Sequence, residues 1–278
     1  MSIPQSQSAM PDTQYGIGAM TKSLLSVIRY SLRVYYRYPA NILMTIAIPL
    51  VFVIVGSVFS KLTSEEQFAE FAGGGTSLLV YLLVGLAVWL LSNASNGVAG
   101  AVETEISWGK LRTPTPAIVV ISGMALASIL HGLVISVVVV TLLFLVTRLT
   151  FSFQAVICVC LGLAAFYGVG LILASLALRF RRIGGLITSL GFVEQFFCGA
   201  FIPVRALPIF IRPFSYILPS TWVLDSIRAT LLGLDTILDP RVEMYLIVAM
   251  AAAANITGFL LLRATERRIS ILGLSEDY

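Results

Sequence analysis

The side chains able to do chemistry in this sequence are few and far apart. The one histidine, His131, stands beside Gly132 in an apolar run, and Cys158, Cys160 and Cys198 also lie in apolar runs. Positions two apart on a helix do not face each other, so Cys158 and Cys160 cannot easily pair. No Cys/His spacing of a metal site occurs, and the thiols read as small packing residues. His131 alone builds no metal site and reads as a packing or hydrogen-bonding residue. An enzyme working inside an apolar core needs His, Asp, Ser or Cys groups gathered at one depth, and these are dispersed. A phosphate-binding loop, G-x-x-x-x-G-K-[ST], is also missing: Gly109-Lys110 has Thr104 where the earlier glycine belongs. Gly73-Gly74-Gly75 has no following lysine and reads as a flexible linker. Any energy source is therefore expected in another chain or in an ion gradient.

Four groups of charge remain. Glu194, followed by Gln195, Phe196 and Phe197, is the one acid well inside an apolar run. A charge at mid-bilayer costs about 2.5–3.5 kcal/mol on insertion scales. Glu194 is thus either a cavity residue, with Phe197 beside it, or a hydrogen-bonded acid that fastens helices. Asp225 and Arg228, three apart on an expected helix, are placed to pair, as a structural bridge or as a latch at an opening. Lys22, Ser26, Arg29, Arg33 and Arg37 are spaced 4, 3, 4 and 4. At 100° per residue they fall within an arc of roughly 80°. Glu103, Glu105, Trp108, Gly109, Lys110 and Leu111 form a short loop of mixed charge.

The elements that position these groups belong to a membrane protein. Apolar residues make up 58% of the 278, charged residues 12%, and mean hydropathy is +0.95. Soluble domains run at about 45–50% apolar and about 25% charged. No apolar run ending in a small-residue cleavage site opens the chain, so no signal peptide is expected. Six runs reach the length of about 20 apolar residues that a span needs: Ala40–Ser60, Leu78–Val98, Ala117–Val146, Phe153–Leu178, Ile183–Ile202 and Met244–Leu262. Asn93 and Asn96 read as inter-helix hydrogen-bonding residues, and Gly162, Phe166, Gly168 and Gly170 as a close-packing side of the fourth span.

Twelve of the 18 Lys and Arg residues fall on one side of these spans, among them Arg179, Arg181 and Arg182. The positive-inside rule then puts both termini in the cytoplasm. Met20–Tyr38 reads as an interfacial amphipathic helix, its basic edge toward headgroups or an acidic partner, with Pro39 turning the chain into the bilayer. A short helix is expected over Val102–Leu111, acids in its first turn and Lys110 and Arg112 at its end. The stretch Pro203–Arg241 is too apolar for a solvated loop and too broken by Pro203, Pro208, Pro213 and Pro219 to span. It predicts short re-entrant or interfacial helices, one starting at Pro219-Ser220-Thr221, with Leu224, Ile227 and Leu231 as its apolar face and Gly233 as its stop.

These segments together resemble the type-2 ABC exporter permeases, in particular the small drug- and antibiotic-export branch. The resemblance covers about Tyr38 to Arg268 and rests on Arg37-Tyr38-Pro39, Pro49, and Glu103, Glu105, Gly109, Leu111, Thr113 and Pro114. It is most specific in Phe201, Pro203, Leu207, Pro208, Pro219, Asp225, Arg228, Leu232 and Gly233. It implies an all-α integral membrane fold of six spans, with the interfacial helix, a cytoplasmic coupling helix and external re-entrant helices between spans five and six. Residues 1–19 would be a flexible segment, 20–38 the interfacial helix, 39–268 the transmembrane domain and 269–278 a tail. The resemblance further implies a permease without catalytic residues, metal or cofactor of its own, in the bacterial cytoplasmic membrane. Its partners would be an ATP-binding subunit carrying ATP and magnesium, a second permease chain and membrane lipids, with no nucleic acid. The interfacial helix and the Glu103–Leu111 loop would touch the ATP-binding subunit. Cargo would be a hydrophobic or amphipathic drug, lipid or glycolipid. A transporter driven by an ion gradient is the alternative, which predicts internal repeats and several intramembrane charges.

Overall fold

A computed structural model describes residues 17–40, 74–107, 117–146, 152–180 and 183–272, with isolated positions between 43 and 72. The described residues form helices: α1 (Ile17–Arg37), α2 (Leu78–Ser107), α3 (Ala117–Val146), α4 (Phe153–Phe180), α5 (Gly184–Phe197), a 3-10 turn (Val204–Ala206), α6 (Arg212–Ile217), α7 (Pro219–Leu232) and α8 (Pro240–Leu272). Four are long and apolar enough to cross a membrane: Leu78–Glu103, Ile118–Thr141, Phe153–Phe180 and Pro240–Arg267. Most of the expected first span lies outside the described residues; its described positions between 43 and 58 are all helical.

α2 is the central element, packed against α3, α4, α5 and α7, while α8 lies along α4 and α1 along α3. Its side chains meet neighbouring backbones directly. Ser95 Oγ donates to Phe166 O at 2.7 Å and Ser136 Oγ to Ala87 O at 2.8 Å, so polar groups in the apolar interior are satisfied across helices. Two apolar layers stack along the bundle. One gathers Val98, Ile121, Ala174, Ile187 and Leu262; the other gathers Leu86, Phe166, Trp222, Leu224 and Ile247.

α3 keeps the bounds read from the sequence. α7 starts at Pro219, whose missing N–H costs nothing at a helix start, and stops at Gly233 in the left-handed region (φ +66°). Three expectations change. The expected helix over Val102–Leu111 is, as far as Ser107, the end of α2, because nothing between Leu78 and Ser107 breaks the helix. The expected fifth span, Ile183–Ile202, is a helix of 14 residues, about 21 Å long. It ends because Gly199 (φ +87°) turns the chain within an unbroken apolar run. The glycines of α4 do not share a side. A Cβ on Gly162 would meet Val223 of α7, on Gly168 the backbone of Ala254 and Asn255 in α8, and on Gly170 Val98 of α2.

Candidate functional site

The polar groups of this apolar bundle concentrate where α2 runs antiparallel to α5. At one end, Glu103 Oε2 accepts the backbone N–H of Gly184 at 2.7 Å. Farther along, Gly191 of α5 lies against Asn93 and Asn96, which are joined by Asn96 Nδ2 donating to Asn93 Oδ1 at 3.0 Å. Next, Glu194 Oε1 accepts from Ser92 Oγ of α2 and from Ser220 Oγ of α7, the latter at 2.7 Å. Glu194 thus fastens three helices, and its Oε1 is engaged within the chain's own bundle. Phe197, one turn on, is half-buried, while Phe196 is exposed and tilted against Phe201.

Beyond α5 the chain turns onto Arg228, which is only 4% exposed. Its Nη1 donates to Gly199 O at 2.6 Å, and its Nη2 to Ala200 O at 2.9 Å and Tyr81 O at 3.0 Å. The guanidinium carbon lies 3.4 Å from the centre of the Tyr81 ring. A planar cation with several donors suits this place, since it stacks on an aromatic face while satisfying carbonyls freed at a helix end. Burial pushes the Arg228 pKa below its usual value, with Tyr81 opposing that shift. Arg228 does not take Asp225 as its hydrogen-bonding partner, contrary to the pair read from their spacing. Asp225 Oδ2 accepts Ile237 N–H at 2.7 Å, Arg228 Nε has no hydrogen-bond partner, and both residues line a small cavity. Glu243, fully buried, accepts from Ser226 Oγ at 2.9 Å and Leu238 N–H at 3.1 Å.

α1 presents its basic residues outward: Lys22, Arg29, Arg33 and Arg37 are all exposed. Its other face lies on α3 at two levels. A Cβ on Gly123 would overlap Val27, and His131 takes Tyr36 Oη at 3.1 Å with the Tyr35 ring 3.7 Å from its own. The two contacts are eight residues apart on each helix, so α1 runs alongside α3 for about 12 Å. Of the expected loop residues, Trp108, Gly109, Lys110 and Leu111 lie outside the described residues, as does the side chain of Glu105. No group of His, Cys, Asp or Glu among the described residues is arranged to hold a metal.

Sequence reasoning picked out Glu103, Glu194 and Arg228 but not their partners. Gly184, Ser92, Ser220 and Tyr81 carry no local signal, because the contacts join residues 26 to 147 positions apart. The family model for ABC-2 type transporters matches residues 22–232. A search of curated proteins returned no match to the chain.

Proposed function

The chain belongs to the ABC-2 type transporter family, and from that premise we propose that it is the permease of an ATP-driven exporter. The match makes it a membrane-embedded transport subunit rather than a catalytic domain, and implies an ATP-binding partner. In the proposed arrangement the termini and the segment 100–116, which is the end of α2 and the coupling loop that follows it, face the cytoplasm, and α6 and α7 lie re-entrant at the outer side. Two permease chains pair, and each docks on an ATP-binding subunit through α1 and the segment 100–116. The first span and α5, the latter extended by the turn after Phe197, complete six crossings. The basic face of α1 lies against anionic headgroups or an acidic surface of the ATP-binding subunit.

The observation that carries this reading is the position of α2. It is continuous from the bundle centre to the start of the coupling loop, and it packs against four other helices. A push on the loop therefore acts directly on the helix that most of the bundle rests on. Leu186, Leu190, Phe192, Val193 and Phe196 leave a large part of α5 apolar and uncovered in the single chain. That surface favours a second permease chain and a hydrophobic or amphipathic cargo in the bacterial cytoplasmic membrane.

The test is uptake into inverted membrane vesicles containing the chain together with its ATP-binding subunit. Uptake should require ATP, survive a proton ionophore, and fall when Gly109 and Leu111 are both replaced by Asp. Uptake that continues without ATP but stops with the ionophore would establish an ion-gradient transporter instead.

A further inference from the structure

We propose that Glu103 is a positioning residue that grips the N-terminus of α5 and hands motion of the coupling loop to that helix. This rests on the permease reading above. Glu103 stands on α2 four residues before Ser107, the last residue described there, and faces the start of α5. There α5 lacks what Glu103 provides. The N-cap residue of α5 is Ile183, with no side-chain cap, and its first turn has no acid. Four N–H groups at that end have no partner within their own helix. Glu103 Oε2 accepts one of them, Gly184 N–H, at 2.7 Å. A hydrogen bond to a carboxylate is about twice as strong as a neutral one, and here the positive end of the α5 dipole adds to it.

The second observation is steric and independent of charge. A Cβ built on Gly184 would overlap the Glu103 carboxylate, whereas one built on Gly185, the next residue of the same helix, meets nothing within 4 Å. Glycine at 184 therefore leaves the space the carboxylate occupies, and glycine at 185 does not. Ile187, one turn on, belongs to the apolar layer that also holds Val98 and Val102 of α2, so the same end of α5 is seated on α2 as well as gripped. The next polar contacts among the described residues are the Gly191 approach and Glu194. Displacement of Glu103 thus acts on the end of a short helix, ahead of its other polar contacts. Glu103 stands on the part of α2 that leads into the segment proposed to meet the ATP-binding subunit, so α2 and α5 are joined there through one carboxylate.

The matched pair Gly184→Ala and Gly185→Ala separates the grip from the general effect of adding a helix-favouring methyl. With the ATP-binding subunit present, Gly184→Ala and Glu103→Ala should each cut transport per ATP hydrolysed by about tenfold, the equivalent of losing one hydrogen bond to a charged group. Gly185→Ala should match the unsubstituted chain. Glu103→Gln, which keeps an acceptor, should recover part of the coupling ratio lost in Glu103→Ala. The double variant Glu103→Ala/Gly184→Ala should be no worse than Glu103→Ala alone, since Gly184→Ala then has no carboxylate contact left to remove. Equal behaviour of Gly184→Ala and Gly185→Ala, or additive losses in the double variant, would overturn the proposal while leaving ATP-dependent uptake by the unsubstituted complex intact. Thermal unfolding of the purified chain without its partner supplies the same cycle independently of transport. Non-additive midpoints there support the grip even if uptake proves independent of ATP, and additive midpoints overturn it.

Discussion

Two seams hold this bundle together by different means. Along α4 and α8, backbone meets backbone: Gly168 leaves no room for a Cβ beside Asn255 N and Ala254, and Gly258 approaches Gly168 O. Asn255 Nδ2 closes the same seam by donating to Ala164 O at 2.7 Å. Along α2 and α5, helices meet at separated polar rungs: Glu103 on Gly184, Asn93 and Asn96 on Gly191, and Ser92 on Glu194. Close packing of small residues loses attraction as soon as the helices part, so such a seam has one good position. Discrete hydrogen bonds can be exchanged for others at a modest net cost of about 1 kcal/mol each. The difference predicts that the α4–α8 seam stays together during transport and that the α2–α5 seam is the one that moves.

The contrast predicts where substitution does harm to folding and where it does harm to function. Gly168→Leu forces α4 from α8 against backbone atoms that cannot swing aside. It should cost about 3 kcal/mol or more and remove most monodisperse protein from detergent extracts. Arg228→Ala leaves Ala200 O without its donor and takes the guanidinium from Gly199 O, Tyr81 O and the Tyr81 ring, and should lower stability by about 2–4 kcal/mol in thermal unfolding. Arg228→Lys should rescue little, because an ammonium lacks the planar fork that reaches three carbonyls and covers the Tyr81 ring. At Glu194 the effect should be smaller and chemically selective. Glu194→Leu leaves two hydroxyls without their acceptor, at about 1–3 kcal/mol, while Glu194→Gln keeps an acceptor and most of the stability. Equal losses for the two would show that the Ser92 and Ser220 bonds do not hold α5. Tyr36→Phe, which removes the hydroxyl facing His131, should cost only about 0.5–1 kcal/mol. A larger loss there would mean that the α1–α3 contact carries more of the frame than its exposed position suggests.

Much of the frame is legible in the sequence because bilayer spans are written in long apolar runs. Ala117–Val146 is helical from end to end, and Pro219 and Gly233 bound α7 as their backbone preferences dictate. The end of α5 was not legible, since Cys198-Gly199 interrupts an apolar run without polar punctuation. Nor was the length of α2: the charges of Glu103 and Glu105 read as a loop of their own, whereas α2 runs on through Ser107. The site was legible in half. Unusual residues announce themselves by type, as Glu194 and Arg228 do in apolar surroundings, but their partners are ordinary serines, glycines and carbonyls. Local spacing suggested Asp225 for Arg228, while the tertiary fold supplied carbonyls at the turn after α5, which a buried guanidinium matches better. His131 likewise gained its meaning only from α1 lying beside it.

The claim that one seam moves and the other does not can be measured directly by tying each in turn. In a background with Cys158, Cys160 and Cys198 replaced by Ala, one variant would carry Asn96→Cys and Gly191→Cys across α2–α5. A second would carry Ala164→Cys and Asn255→Cys across α4–α8. After treatment with a short thiol cross-linker that reduction can cleave, ATP-dependent uptake should stop in the first variant and return on reduction. In the second it should continue near the uncross-linked rate. Undiminished uptake with the α2–α5 seam tied, or arrest by both cross-links alike, would contradict the account.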